Sequence, residues 1–305
     1  MNRWVRLFFF LVLTGFFTSC NNDAEVPTTD RFDSGTLHIS CDESFKPVID
    51  AQIQVYQAQY PKTKIIAHYK PEADCFNDLG IDSIRMIIAT RHLSKKEGAL
   101  ISDSLKVGTL SARVAFDAVA VIVHPQATDS FFSLTDLKGL ISGKANKNLI
   151  PVFDGLKATS TVRFMLDSVL RGESLGKNVV AAESSQGVID YVAKTPNAVG
   201  FLGISWIGNQ DDSTQLSYLK KVRLARIEST DSVGGFVLPV QYLIYSRTYP
   251  LIRDLVYVLK EKHTGLAHGF ASFMRSENGQ LLFKRSFLFP AIHQFYIRPT
   301  ELERN

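Results

Sequence analysis

Apolar positions along most of this chain switch between two periods. Leu37-His38-Ile39 reads as a short strand, and Phe45, Val48, Ile49, Ile53, Tyr56 and Tyr60 then recur at helical spacing until Pro61. Ile65-Ile66-Ala67 and Met86-Ile87-Ile88-Ala89 predict two more strands, and Ser94 with Glu97 forms a capping box that opens another helix. Residues 118–123 are an uninterrupted apolar run ending at His124-Pro125, the mark of a buried central strand. Leu134, Leu137, Leu140 and Ile141 predict a helix ending at Gly143. A strand over 149–153, helices over 161–170 and 188–192, and a strand over 198–202 follow. Past the Gly234-Gly235 turn, residues 240–245 read as one more buried strand and 251–283 as helical. Strands alternating with helices imply an α/β fold, a mainly parallel sheet flanked by helices on both faces.

The N-terminus follows neither period. Arg3 and Arg6 precede an apolar run from Leu7 to Phe17. As a helix that run would span roughly 16 Å at ~1.5 Å per residue, short of a ~30 Å hydrocarbon core. A basic start, a short apolar stretch and small residues before a cut site describe a signal peptide over residues 1–19. Phe17-Thr18-Ser19-Cys20 resembles a bacterial lipobox, which makes Cys20 the expected lipidation site and places the chain on a membrane through its lipid. The other reading is an ordinary signal peptide with an incidental cysteine. The polar stretch after Cys20, with Pro27, suits a flexible tether over residues 20–34.

Composition narrows the classes. Hydrophobic residues at 45% and charged residues at 21% belong to a packed globular protein and exclude disorder of the whole chain. The formal charge of +4 falls to about +2 without Arg3 and Arg6, and the remaining Lys and Arg are scattered. No nucleic-acid partner is expected from so diffuse a charge. Cys20, Cys41 and Cys75 make no Cys-x-x-Cys pair and have no histidine at ligand spacing, so no metal site is expected. Cys41 and Cys75 are left as a candidate disulfide or as two buried thiols. No nucleophile–base motif, Gly-rich phosphate loop or cofactor fingerprint stands out, so no enzyme and no cofactor is expected.

Several local motifs, in this order, resemble the phosphate-binding proteins of ABC transporters. They are Asp42-Glu43-Ser44-Phe45, Ile88-Ala89-Thr90-Arg91-His92-Leu93, Asp117-Ala118-Val119-Ala120-Val121-Ile122-Val123, Thr159-Ser160-Thr161 and Thr195-Pro196-Asn197-Ala198-Val199-Gly200-Phe201. The resemblance covers roughly residues 35–290 and implies a two-lobed, type II periplasmic-binding fold. It divides the chain into a first lobe over 35–117, a second over 118–233 and a return segment over 234–305. Hinges would lie near Phe116-Asp117 and Gly234-Gly235.

Ligands in open α/β sheets bind beyond the carboxyl ends of strands, and helix starts there attract anions. Ser44 with Phe45, and Thr159-Ser160-Thr161, are two hydroxyl-bearing helix starts placed after strands; each also suits an ordinary N-cap. The resemblance assigns both to a small oxyanion, phosphate, with Thr90 from the third strand. It departs from the family twice: no Arg precedes Thr159-Ser160-Thr161, and Arg91 follows Thr90 where an Asp is expected. Arg91 and Arg163 are the candidate replacement charges. Asp42, Glu43, Asp117 and Asp154 either accept a ligand proton or cap turns. The resemblance implies a bacterial envelope lipoprotein, facing the periplasm or exterior, that hands its ligand to a membrane permease. The alternative is an envelope interaction lipoprotein that keeps the fold without a transport ligand.

Overall fold

The first strand, β1 (Ser34–Asp42), buries Leu37, Ile39 and Cys41 on one face and Ser40 on the other, as strands covered on both sides do. The computed structural model describes residues 30–145, 148–155, 159–209 and 211–292; the leader, Cys20 and nearly all of the expected tether lie outside them. A single 3-10 turn, Glu43–Phe45, leads into α1 (Lys46–Gln59), where a proline in the first turn suits a helix start. Val48, Ile49, Gln52, Ile53 and Tyr56 form its buried face. β2 (Lys62–Lys70), α2 (Glu72–Asp78), β3 (Ile84–Ala89) and α3 (Lys95–Leu105) follow. The expected capping box opens α3: Ser94 Oγ accepts from the Glu97 N–H while the Glu97 carboxylate accepts from the Ser94 N–H.

β4 (Thr109–Val123) is long enough, roughly 46 Å at ~3.3 Å per residue, to run through both lobes. After it come β5 (Phe131–Phe132), α4 (Leu134–Ile141), β6 (Ile150–Phe153), and α5 (Ser160–Met165), which continues as one π-turn over Leu166–Leu170. β7 (Val180–Ala181), α6 (Ser185–Lys194), β8 (Ala198–Gly203), α7 (Ser213–Leu219), β9 (Arg223–Leu224), β10 (Arg226–Glu228) and β11 (Phe236–Val237) complete the second lobe. The return segment holds α8 (Gln241–Tyr245), β12 (Ile252–Lys260), α9 (Leu266–Arg275), α10 (Glu277–Arg285) and β13 (Phe289–Pro290).

The main sheet has the order β2-β1-β3-β12-β4-β8-β6-β7. Pairing is parallel within β2-β1-β3 and within β8-β6-β7, and antiparallel wherever β12 or β4 takes part. Each lobe therefore has a parallel set of strands, and the two sets meet at the antiparallel β12-β4 pair. The apolar core is continuous through the β4 residues Val114 to Val123.

Two expectations fail for one reason. Within the expected strand over 240–245, Gln241–Tyr245 form the helix α8, with Tyr242 and Tyr245 exposed, and not a buried strand. Residues 252–260 form β12, and not the start of a long helix. A short apolar run fits either element, and a strand buried on both faces loses the alternation that would reveal it. Gly234-Gly235 lies in the turn between the antiparallel strands β10 and β11, and the chain rejoins the first-lobe sheet at Ile252.

The base of the first lobe is clasped by residues 30–35. Asp30 accepts from Arg85 and from His263, and Tyr56 donates its hydroxyl proton to the Phe32 carbonyl. Gly35, at φ +116°, passes so close to Asp30 that a Cβ there would sit 2.3 Å from the Asp30 Cβ, which only glycine avoids. Glu261 completes the clasp: it pairs with Arg85 at 2.8 Å and accepts from the Gly265, Ala267 and His268 N–H groups at the start of α9. Asp30, Glu261 and His263 bring three ligand-type atoms within 4.8 Å of one another, but Arg85 already pairs with both carboxylates.

Candidate functional site

Where β12 crosses β4, Arg253 stands directly opposite Asp117. Arg253 is 4% exposed, and its Nε donates to Asp117 Oδ2 at 2.6 Å. Its Nη1 donates to Ser160 Oγ at 2.9 Å and to Thr161 Oγ1 at 3.2 Å, both at the start of α5 in the second lobe. Its Nη2 has no hydrogen-bond partner among the described residues. The Phe45 ring lies 5.1 Å from the guanidinium carbon, a cation–π contact from the first lobe.

The 3-10 turn after β1 brings Ser44 to the same point. Asp42 Oδ1 accepts from the Ser44 N–H at 3.0 Å, which aims the buried hydroxyl at the second lobe. Ser44 Oγ lies 3.3 Å from Ser160 Oγ and 3.4 Å from Asp154 Oδ2, and Thr161 donates to that same carboxylate oxygen at 3.4 Å. Asp42 Oδ2, Asp117 Oδ1 and Asp154 Oδ1 are buried without a hydrogen-bond partner among the described residues.

The electrostatics follow from burial. Desolvation pushes the Asp42 carboxyl up to about 7, against the pull of Arg253. Desolvation and the neighbouring Glu43 push Asp154 up to about 6. Burial disfavours the charge on Arg253, but Asp117 and Asp42 outweigh it and hold the guanidinium above its ordinary range. Near neutral pH the centre thus holds a firm cation beside two carboxyls that share protons with solvent.

Two further carboxylates bridge the lobes. Glu72, at the start of α2, accepts from the Thr90 N–H at 2.8 Å and the Thr90 hydroxyl at 2.5 Å. From the second lobe it accepts from Arg163 Nε at 2.6 Å. Burial opposes its ionisation, yet the Arg163 bond and charge and the Thr90 donors keep its pKa below the usual range. Glu43 accepts from the Ser185 hydroxyl at 2.7 Å and the Ser185 N–H at 3.3 Å, at the start of α6.

Of the residues singled out by sequence, Ser44, Phe45, Ser160 and Thr161 gather around Arg253. Thr90 and Arg163 meet each other on Glu72, Arg163 Nη2 donating to Thr90 Oγ1 at 2.5 Å. Thr159 caps α5, accepting from the Val162 N–H. Arg91 is turned away as a counter-charge: it pairs bidentately with Glu97 and stacks 3.7 Å over Phe76, because the capping-box carboxylate is the nearer partner. Cys41 and Cys75 are unjoined buried thiols, with Cys75 donating to the Lys70 carbonyl. Sequence reasoning missed Arg253 and Glu72. Arg253 had no local signal: Arg253-Asp254 stand ahead of the apolar run 255–259, a pattern that fits a helix as well as a strand.

Two α/β lobes sharing one long strand, with hydroxyls and a buried guanidinium where they join, define the type II solute-binding class. Residues 26–278 match the PBP superfamily domain, and the chain belongs to that superfamily. It is 24% identical over 260 residues to the phosphate-binding protein PstS of Bacillus subtilis (strain 168), covering 81% of this chain and 77% of that protein. Among solved structures it is similar to a phosphate ABC transporter substrate-binding protein with bound phosphate from Clostridium perfringens, at TM-score 0.70 and 18% identity over 85% of this chain and 100% of that one. An ABC-type phosphate transport receptor from Vibrio cholerae matches at TM-score 0.61 and 18% identity over 84% of this chain and 100% of that one.

Proposed function

We propose that this chain is the solute-binding component of an ABC-type importer and takes one small oxyanion, phosphate, at the junction of its lobes. The observation that carries this reading is Arg253. A guanidinium buried between the lobes, one Nη without a partner and the other on two hydroxyls, is a receptor for a tetrahedral oxyanion. Ser44, Ser160 and Thr161 supply short-range donors, and the protonated carboxyls of Asp42 and Asp154 add two more below neutral pH. The resemblance to phosphate-binding relatives supports phosphate over other oxyanions. In the same reading the chain is held at a bacterial membrane by lipid on Cys20 and passes its ligand to a permease.

Titration calorimetry of the tag-free mature chain with phosphate, sulfate and molybdate tests it. Phosphate is expected to bind with a 1:1 stoichiometry. Ser160→Ala should weaken it about tenfold, and Arg253→Gln by roughly ten- to a hundredfold, the range of one or two hydrogen bonds to charge. A second reading, an interaction lipoprotein without a transport ligand, draws on the acids at the junction. Asp42, Glu43, Glu72, Asp117 and Asp154 gather there around the two arginines Arg163 and Arg253. Absence of binding to any of the three anions at millimolar concentration would replace the first reading with the second.

A further inference from the structure

Glu72 and Glu43 stand on the first lobe, yet each takes its bridging partner from the second. Glu72 is 3% exposed in its side chain and holds Arg163 at 2.6 Å, so water does not screen the pair as it would a surface bridge. Glu43 lies across the first turn of α6, a helix of ten residues, and accepts both the hydroxyl and the backbone N–H of Ser185. Helix starts and guanidinium groups are the features that recognise anions in general. Here both are already occupied by the chain's own carboxylates.

We propose that Glu72 and Glu43 are resident latches. They hold the two lobes together without ligand and compete with an incoming oxyanion for the second-lobe donors. This deepens the binding reading above and rests on it only for the competition. A closed ligand-free form lowers apparent affinity by the fraction of molecules open to entry. Glu72 also has a purely local duty, bonding the Thr90 N–H within its own lobe, and a Gln side chain keeps that bond through its carbonyl oxygen. Glu72→Gln therefore removes the ion pair and leaves the first lobe intact. Arg163→Gln breaks the same bridge from the other side, at a side chain that is 35% exposed.

Small-angle scattering of the ligand-free mature chain and of Glu43→Gln/Glu72→Gln reads the latch without reference to any ligand. The parent is expected to scatter as the compact, closed form and the double variant as an expanded one. Arg163→Gln should expand the chain in the same direction. Calorimetry should then show phosphate binding about tenfold tighter to Glu72→Gln than to the parent, at constant ionic strength. Addition of phosphate should return the double variant to the compact profile. Expansion without recompaction and without phosphate binding upholds the latch and defeats the phosphate reading. If the double variant loses its cooperative melt, Arg163→Gln decides alone. A parent already expanded, or an Arg163→Gln profile identical to a compact parent, overturns the latch whatever binds.

Discussion

At the scale of single residues, Asp42 sets the response of the folded chain to pH. Its carboxyl rises from 3.8 to about 7 on folding, chiefly through desolvation. The folded state therefore keeps a proton that the unfolded chain has released, and the stability this contributes is complete below 3.8 and is lost as pH rises through about 7. Asp154, raised to about 6, adds a loss of the same sign. Glu72 and Asp30 work the other way: their pKa values are lowered, so the stability they give is lost only as pH falls below the ordinary carboxylate range. The ligand-free protein should thus be most stable in mildly acid solution. Asp42→Asn keeps an acceptor for the Ser44 N–H and removes the titration. Denaturant melts should show the variant gaining on the parent by on the order of a few kcal/mol at pH 8 and little near pH 4. An equal difference at both pH values would mean that Asp42 does not titrate in this range.

At the scale of elements, chemistry confined to a few consecutive residues was readable and chemistry that depends on distant partners was not. The Ser94–Glu97 box announced α3, and the helical spacing from Val48 to Tyr56 announced α1, because each signal lies within the element it forms. β12 gave no such signal. Its buried run from Leu255 to Leu259 takes its strand character from β3 and β4, far away in sequence. With β12 misread, Arg253 was placed on a helix, and the centre of the candidate site was lost with it. Ser44 and Ser160 were legible because each opens a helical turn in the connection that leaves a strand; their meeting across 3.3 Å was not, since it depends on how the lobes close. α3 buries no residue fully: it is held by its cap, its charged pair with Arg91, and Ile101 packed against the cluster of Cys75, Leu79, Ile84, Ile87 and Val258. Ser94→Ala should cost about 1 kcal/mol, and hydrogen exchange should show the loss concentrated in the first turns of α3. Uniformly faster exchange across β3 and β4 would contradict this.

At the scale of the whole molecule, the proposed anchor and the clasp bear on one another. Cys20→Ala should release the chain from the membrane fraction or leave uncleaved precursor, and intact mass of the native mature N-terminus should show acyl chains on Cys20; an unmodified terminus at another residue would defeat the lipoprotein reading. Whatever holds the N-terminus, the clasp decides where a pull upon it is felt. β1 runs nine residues from the clasped base to Asp42, about 26 Å at ~3.3 Å per residue, so the point of attachment and the lobe junction lie at opposite ends of one strand. Tension along β1 is met by shear against β2 and β3, whose parallel hydrogen bonds would have to break together. Arg85 and Tyr56 bear the load first. A chain anchored at its N-terminus would therefore be moored through the clasp, and its second lobe left to swing without its mooring line being tugged.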